Sequence, residues 1–186
     1  NNNGLLKSDL AWNKAGNKSG WIINLSQIGQ KNGLLEYSDY TKTALSIKRD
    51  FSFKKKWTGY QQLQYIHYDG QTSGTVDSLK FHARNYTTQQ SFTFRKLDLV
   101  RVRQNLTYTW NASQKTTINL LYRVNTMDQN PAYLIASTTN PTKFKGQINS
   151  NHFDAYVFDL QHQINLKELK SKILIGGYMD ATRQGL

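Results

Sequence analysis

The chain is 186 residues long, carries 24 lysines and arginines against 12 acidic residues for a formal charge of +12, and contains no cysteine. Only 38 % of it is hydrophobic and its mean hydropathy is −0.67, which excludes a helical membrane span, since that needs about 20 consecutive apolar residues. Without cysteine there is neither a disulfide framework nor a thiolate metal site, and two prolines with eleven tyrosines favour strands over helices.

A basic balance of this size raises nucleic acid or an anionic surface as a partner. The charge is scattered, however: the longest basic cluster is Lys54, Lys55, Lys56, and no RNP-like motif accompanies the tyrosines, so a nucleic-acid partner is not expected. The opening Asn-Asn-Asn-Gly-Leu-Leu reads as the interior of a longer mature chain.

In chain order, Leu6, Leu10 and Trp12 alternate with Lys7, Asp9 and Asn13, which predicts a first strand over about 5–13. Trp21, Ile23 and Leu25 alternate with Asn24 and Ser26 in a second, about 20–30. A third, about 39–50, sets Thr43, Leu45 and Ile47 against Lys42, Ser46 and Lys48, and a fourth runs over about 57–69. Residues 70–98 lose the alternation and carry Gly70 and Gly74, so they read as a long loop with room for a hairpin of its own.

Residues 99–127 then give the cleanest pattern in the chain. Val100, Val102, Leu106, Tyr108 and Trp110 share one face, and Arg101, Arg103, Asn105, Thr107 and Thr109 the other. After the turn formers at 111–115, Ile118, Leu120, Tyr122 and Val124 oppose Asn119, Arg123 and Asn125, with Leu121 as an apolar intruder. Each arm is near the roughly 9–11 residues of a tilted membrane strand, against about 5–6 for ordinary strands. Residues 128–151 hold both prolines and read as a second long loop, with further strands at about 152–165 and 171–181.

Eight strands leave seven connections of about 6, 8, 6, 29, 4, 24 and 5 residues, against the usual 2–5 for hairpins. In an antiparallel up-and-down meander the odd connections share one rim and the even ones the other, so the short turns and the long loops separate. That asymmetry belongs to membrane β-barrels, whose strands are only half apolar. Trp12, Trp21, Trp57 and Trp110 each stand at a strand end beside a short turn, as an interfacial aromatic girdle would. On this reading the apolar face, Val100 to Val124, meets lipid. A soluble β-sandwich stays open as the alternative use of the same alternation, as does a self-contained small barrel of eight strands with a structural or adhesive role.

Arg101, Arg103 and Arg123 converge if the two arms pair, so with Asn125 they are candidate lumen-lining residues. Two uses are open: attracting an anionic solute or docking an acidic interior plug, against ordinary polar lining balanced by carboxylates such as Asp159. Tyr133, Lys143, Phe144 and Lys145 are the loop residues set nearest a substrate. His67, His82, His152 and His162 lack ligand spacing, so no metal is expected. No nucleophile elbow, phosphate loop or interpretable carboxylate pair is present, so an enzyme is not expected either, nor a cofactor.

Three stretches carry a family resemblance: RVRQNLTYTW, TTINLLYRVNTMDQNPAYLIASTTNPTKFKG and FDLQHQINLKELKSKILIGGYMDAT. Together, over about residues 99–181, they resemble the barrel of TonB-dependent outer-membrane receptors, in particular the ferric-citrate-like branch. Arg123 to Asn125, Gln129 to Ile135, and Gly176 with Gly177 carry the likeness. The resemblance implies about eight strands of a 22-stranded barrel in the outer membrane of a Gram-negative bacterium, filled by a plug not included here. It further implies import of a ferric siderophore or similar nutrient, with energy from TonB, ExbB and ExbD acting through that plug.

Overall fold

A computed structural model of the protein describes residues 4–74, 76–88, 93–130, 134–136, 144–146 and 148–185. The elements follow in the order β1 (Leu5–Ala15), β2 (Ser19–Gln30), β3 (Tyr40–Phe53), β4 (Trp57–Gln71), α1 (Ser78–His82), β5 (Phe94–Asn111), β6 (Gln114–Asn130), β7 (Leu134–Ala136), β8 (Phe144–Gly146), β9 (Asn149–Leu166) and β10 (Ser171–Gly185). The eight long strands form one antiparallel sheet ordered β1-β2-β3-β4-β5-β6-β9-β10, and β7 pairs only with β8. The fold is an all-β meander, as the alternation predicts.

The strands run further than their apolar periodicity. β5 begins at Phe94 rather than near 99, and β6 continues to Asn130, so Asn125 sits within the strand and not at its exit. The physical reason lies in the ladder. Beyond Val100 the side chains stop alternating cleanly, yet Arg95 still pairs with Gln129 and with Gly70, and backbone hydrogen bonds hold the strand regardless of side-chain polarity. Between β4 and β5 the chain makes the short helix α1, whose cap Asp77 accepts a hydrogen bond from the Lys80 amide at 2.7 Å. Phe92, part of the hairpin anticipated there, lies outside the described residues.

Cross-strand register assigns every side chain to a face. Leu10, Leu25, Leu45, Tyr65, Val100 and Val124 form one row across six strands. The adjacent row on the opposite face reads Ala11, Asn24, Ser46, Gln64, Arg101, Arg123 and Ala155. The exposed large hydrophobic residues of the long strands nearly all fall on the first face, from Leu6, Leu10 and Trp12 through Leu63, Val102 and Leu120 to Ile173, Ile175 and Met179. The exceptions, Leu5, Leu174 and Tyr178, all lie on the edge strands β1 and β10.

Exposure shows which way the sheet curves. On β9 every polar-face residue is buried or half-buried, whereas Ser150, His152, Tyr156 and Leu160 on the apolar face are exposed. Among the described residues no other layer covers either face, so this shielding comes from side chains converging on the inside of a curve. The polar face is therefore concave and the apolar face convex. Among the described residues Ala155 is the one buried hydrophobic residue apart from glycine, so there is no core between two sheets and the β-sandwich alternative fails. β1 and β10 lie at opposite edges of the sheet.

Candidate functional site: a polar inner wall between two rims

The convex apolar surface has a measurable height. On β4 it runs from Trp57 to Tyr65 and then gives way to His67 and Asp69; on β5 it runs from Trp110 to Val100 and gives way to Asp98 and Lys96. On β3 the same surface spans Phe53 to Leu45 before Thr43 and Thr41. These are nine positions (57–65 and 45–53) and eleven (100–110), the roughly 9–11 residues that a tilted strand needs to cross a bilayer. Arg49, Gln61 and Gln104, adjacent in register, interrupt it. The guanidinium of Arg49 lies over the Trp21 ring, 5.3 Å from its centroid.

At the turn end of this surface the four tryptophans form two groups. Trp57 and Tyr108 pack with ring centroids 4.6 Å apart, and Tyr108 meets Trp110 edge-on, also at 4.6 Å. Trp110 donates its indole N–H to Thr116 Oγ1 at 2.8 Å, and a hydrogen bond of the same length joins that hydroxyl to His162 Nδ1. The β-bulge between Thr109 and Asn111 strengthens the local twist beside this cluster. Trp12 and Trp21 line a separate notch at the first turn with Lys14 and Ile23. The turns themselves are residues 16–18, 54–56, 112–113 and 167–170, and Lys54 and Lys55 take left-handed backbone conformations with φ of 49° and 57°.

The concave face is a hydrogen-bonded polar wall. Asn105 donates to Asn119 at 2.6 Å, Asn119 donates to Asp159 at 2.9 Å, and Gln161 donates to both oxygens of Asp159 at 3.0 and 3.2 Å. Thr107 and Thr117 share a hydrogen bond at 3.1 Å, and Lys48 pairs with Asp50 at 2.9 Å. Arg101, Arg103, Arg123 and Asn125 all lie on this face, with Arg101 and Arg123 direct partners. The Asp159 carboxylate is held by Asn119 and Gln161 and makes no ion pair with Arg101, Arg103 or Arg123.

The opposite rim carries the long connections 31–39, 72–93 and 131–148. Here sequence reasoning missed a cluster: Tyr65 donates to Asp98 at 3.0 Å and His67 Nδ1 lies 2.8 Å from the same carboxylate. Lys96 and Asp69 pair beside it at 3.4 Å. Register alone would have found this cluster, because His67 and Asp98 are cross-strand partners. A cleft of about 760 Å³ opens between residues 32–37 and 84–87. Glu36 ties its two sides by donating its amide to the Tyr86 carbonyl and accepting from the Thr88 amide, both at 3.2 Å. Of the proposed substrate residues, Tyr133 and Lys143 lie outside the described residues. Phe144 and Lys145 fall in β8, opposite Ala136 and Ile135. No group of three metal-ligating side chains occurs among the described residues.

A single curved sheet, apolar outside and polar inside, with short turns on one rim and long connections on the other, is the wall of a β-barrel. No family model and no curated protein matches the sequence. Among solved structures, the chain is similar to the open form of the ferric-catecholate import receptor Fiu from E. coli K12, with a TM-score of 0.66 at 8 % identity. The match covers 97 % of this chain and 32 % of that receptor, so the chain spans about a third of the receptor's length. At that identity the likeness establishes the fold.

Proposed function

We propose that the chain is a stretch of barrel wall from an outer-membrane TonB-dependent receptor that imports a ferric siderophore or a similar scarce nutrient. The observation that carries this reading is the convex apolar surface, nine to eleven residues high on β3, β4 and β5, set against a hydrogen-bonded concave face. Such a sheet is stable only with lipid on one side and polar material on the other. The edges of β1 and β10 carry unpaired backbone groups, which hydrocarbon does not tolerate. In this reading those edges meet further strands of the same barrel wall.

In this reading the long connections face outward and take the nutrient, with Tyr133, Lys143, Phe144 and Lys145 near it. The concave wall lines the route, and a plug drawn by TonB, ExbB and ExbD opens it. The chain's part is transport and not catalysis. The similarity to a ferric-catecholate receptor supports an iron chelate as cargo. The test is uptake of radioactive ferric chelates by cells deleted for the full-length gene, with and without an energised inner membrane. Loss of uptake for one chelate class, restored by the gene, supports the reading. Recovery of the full-length protein in the soluble fraction without detergent sinks it.

A further inference from the structure

The concave face of β5 and β6 holds a charge cluster that nothing in the described residues balances. Arg101 and Arg123 stand directly opposite each other in the ladder, and Arg103 follows on the same face of β5. Like charges placed opposite on a sheet destabilise it. Every ion pair among the described residues uses lysine or histidine, and none involves these arginines. Their row across the sheet offers Asn24, Ser46, Gln64 and Ala155, with no carboxylate. Arg101 makes one long hydrogen bond, to Gln64 at 3.4 Å, and the Nε atoms of Arg101 and Arg123 are shielded without a partner. A shielded guanidinium N–H without an acceptor is costly, so two such groups, with the charge of Arg103 beside them, call for an acceptor from inside the curve.

We propose that Arg101, Arg103 and Arg123 form an oxyanion-binding site on the inner wall, which receives the oxygens of a carboxylate or phosphate group lying inside the curve. The planar guanidinium fork matches such groups bidentately. The oxygens come either from an acidic side chain elsewhere in the protein's own full-length chain or from a free multivalent anion in the lumen. The site rests on the inner-wall assignment of this face and not on the identity of the nutrient, so a wrong cargo leaves it standing.

The experiment compares the full-length protein in detergent with an Arg101→Gln/Arg123→Gln double variant, using Lys42→Gln on the same face of β3 as control. Pyrophosphate and citrate are titrated calorimetrically at low salt, and thermal unfolding is followed at low and high salt. A free-anion site gives saturable binding that the double variant weakens roughly tenfold or more, with the control unchanged. An internal carboxylate gives no such binding, but the double variant melts below the wild type at low salt and the gap narrows at high salt. Three arginines that merely repel one another give the reverse: no weakened binding, and a double variant that melts at or above the wild type. That result overturns the proposal. Should the double variant fail to assemble, Arg103→Gln alone is read by the same two criteria.

Discussion

The two faces of β6 differ by one residue of phase and by almost everything else. On the convex side Leu120 is 46 % exposed and its neighbours are Ile118 and Tyr122; on the concave side Asn119 lies in a hydrogen-bonded line from Asn105 to Asp159. A water-soluble sheet protein buries its apolar face and shows its polar one. Here the polar face is the sheltered one, and on the proposed reading of this sheet as outer-membrane barrel wall, lipid outside contributes to stability as much as contacts inside.

The sharpest way to break the comparison is to put a charge on each face in turn. Leu120→Arg is expected to cost about 2–4 kcal/mol of folded-state stability in a bilayer. Asn119→Arg, which brings a cation beside Asp159, is expected to cost well under about 1 kcal/mol. Urea titration of each variant in liposomes measures both, and equal costs would abolish the distinction between faces. At the foot of the convex face, Trp110→Ala removes the edge-on contact with Tyr108 and the bond to Thr116, for an expected loss of about 0.5–1.5 kcal/mol. Trp110→Phe should recover the ring contact but not the bond, and a full recovery would show that the indole N–H contributes nothing.

The turn joining β3 and β4 belongs to neither face, and there the expected change has the opposite sign. Lys55 holds a left-handed backbone that glycine adopts without penalty, so Lys55→Gly should stabilise by about 1 kcal/mol, read as a higher urea midpoint. The smallest effect is expected at Leu121, an apolar residue on the concave wall opposite Arg103. Leu121→Gln should change stability by no more than about 0.5 kcal/mol, while the same exchange at Leu120 should be clearly unfavourable. A large loss at Leu121 would mean that the concave face carries an apolar contact of its own.

Much of this architecture was legible because a strand's period of 2 writes both faces into the sequence. The run from Val100 to Val124 shows the two faces, the hairpin and the convergence of Arg101, Arg103 and Arg123 once its arms pair, while the register adds that Arg101 stands directly opposite Arg123. Strand ends were less legible. Leu97 and Leu99 fall on the polar face, and Lys96 and Asp98 on the other, so composition says nothing about a ladder that backbone groups continue to Phe94. The helix α1 is too short to show an amphipathic period, and only Asp77, placed to cap it, marked its start. The sequence places all four tryptophans beside short turns but does not show which of them touch; side-chain packing groups them into a Trp57–Trp110 cluster and a Trp12–Trp21 notch. The cluster of Tyr65, His67 and Asp98 at the rim of long connections is invisible in the sequence because its members come from two strands, and only the register of β4 against β5 brings them together.

The meander also bears on how such a wall is made and altered. Each long strand pairs only with the long strands next to it in the chain, so the sheet can grow one hairpin at a time, with each new strand needing only the exposed edge of the last. Closing the connection at 72–93 in place of a turn such as 54–56 costs only about 2 kcal/mol more in chain entropy. That sum is small beside the pairing of two strands fourteen residues or longer. The rim of long connections is therefore a place where segments can be lengthened or exchanged while the register beneath them, and the order in which it zips, stays the same.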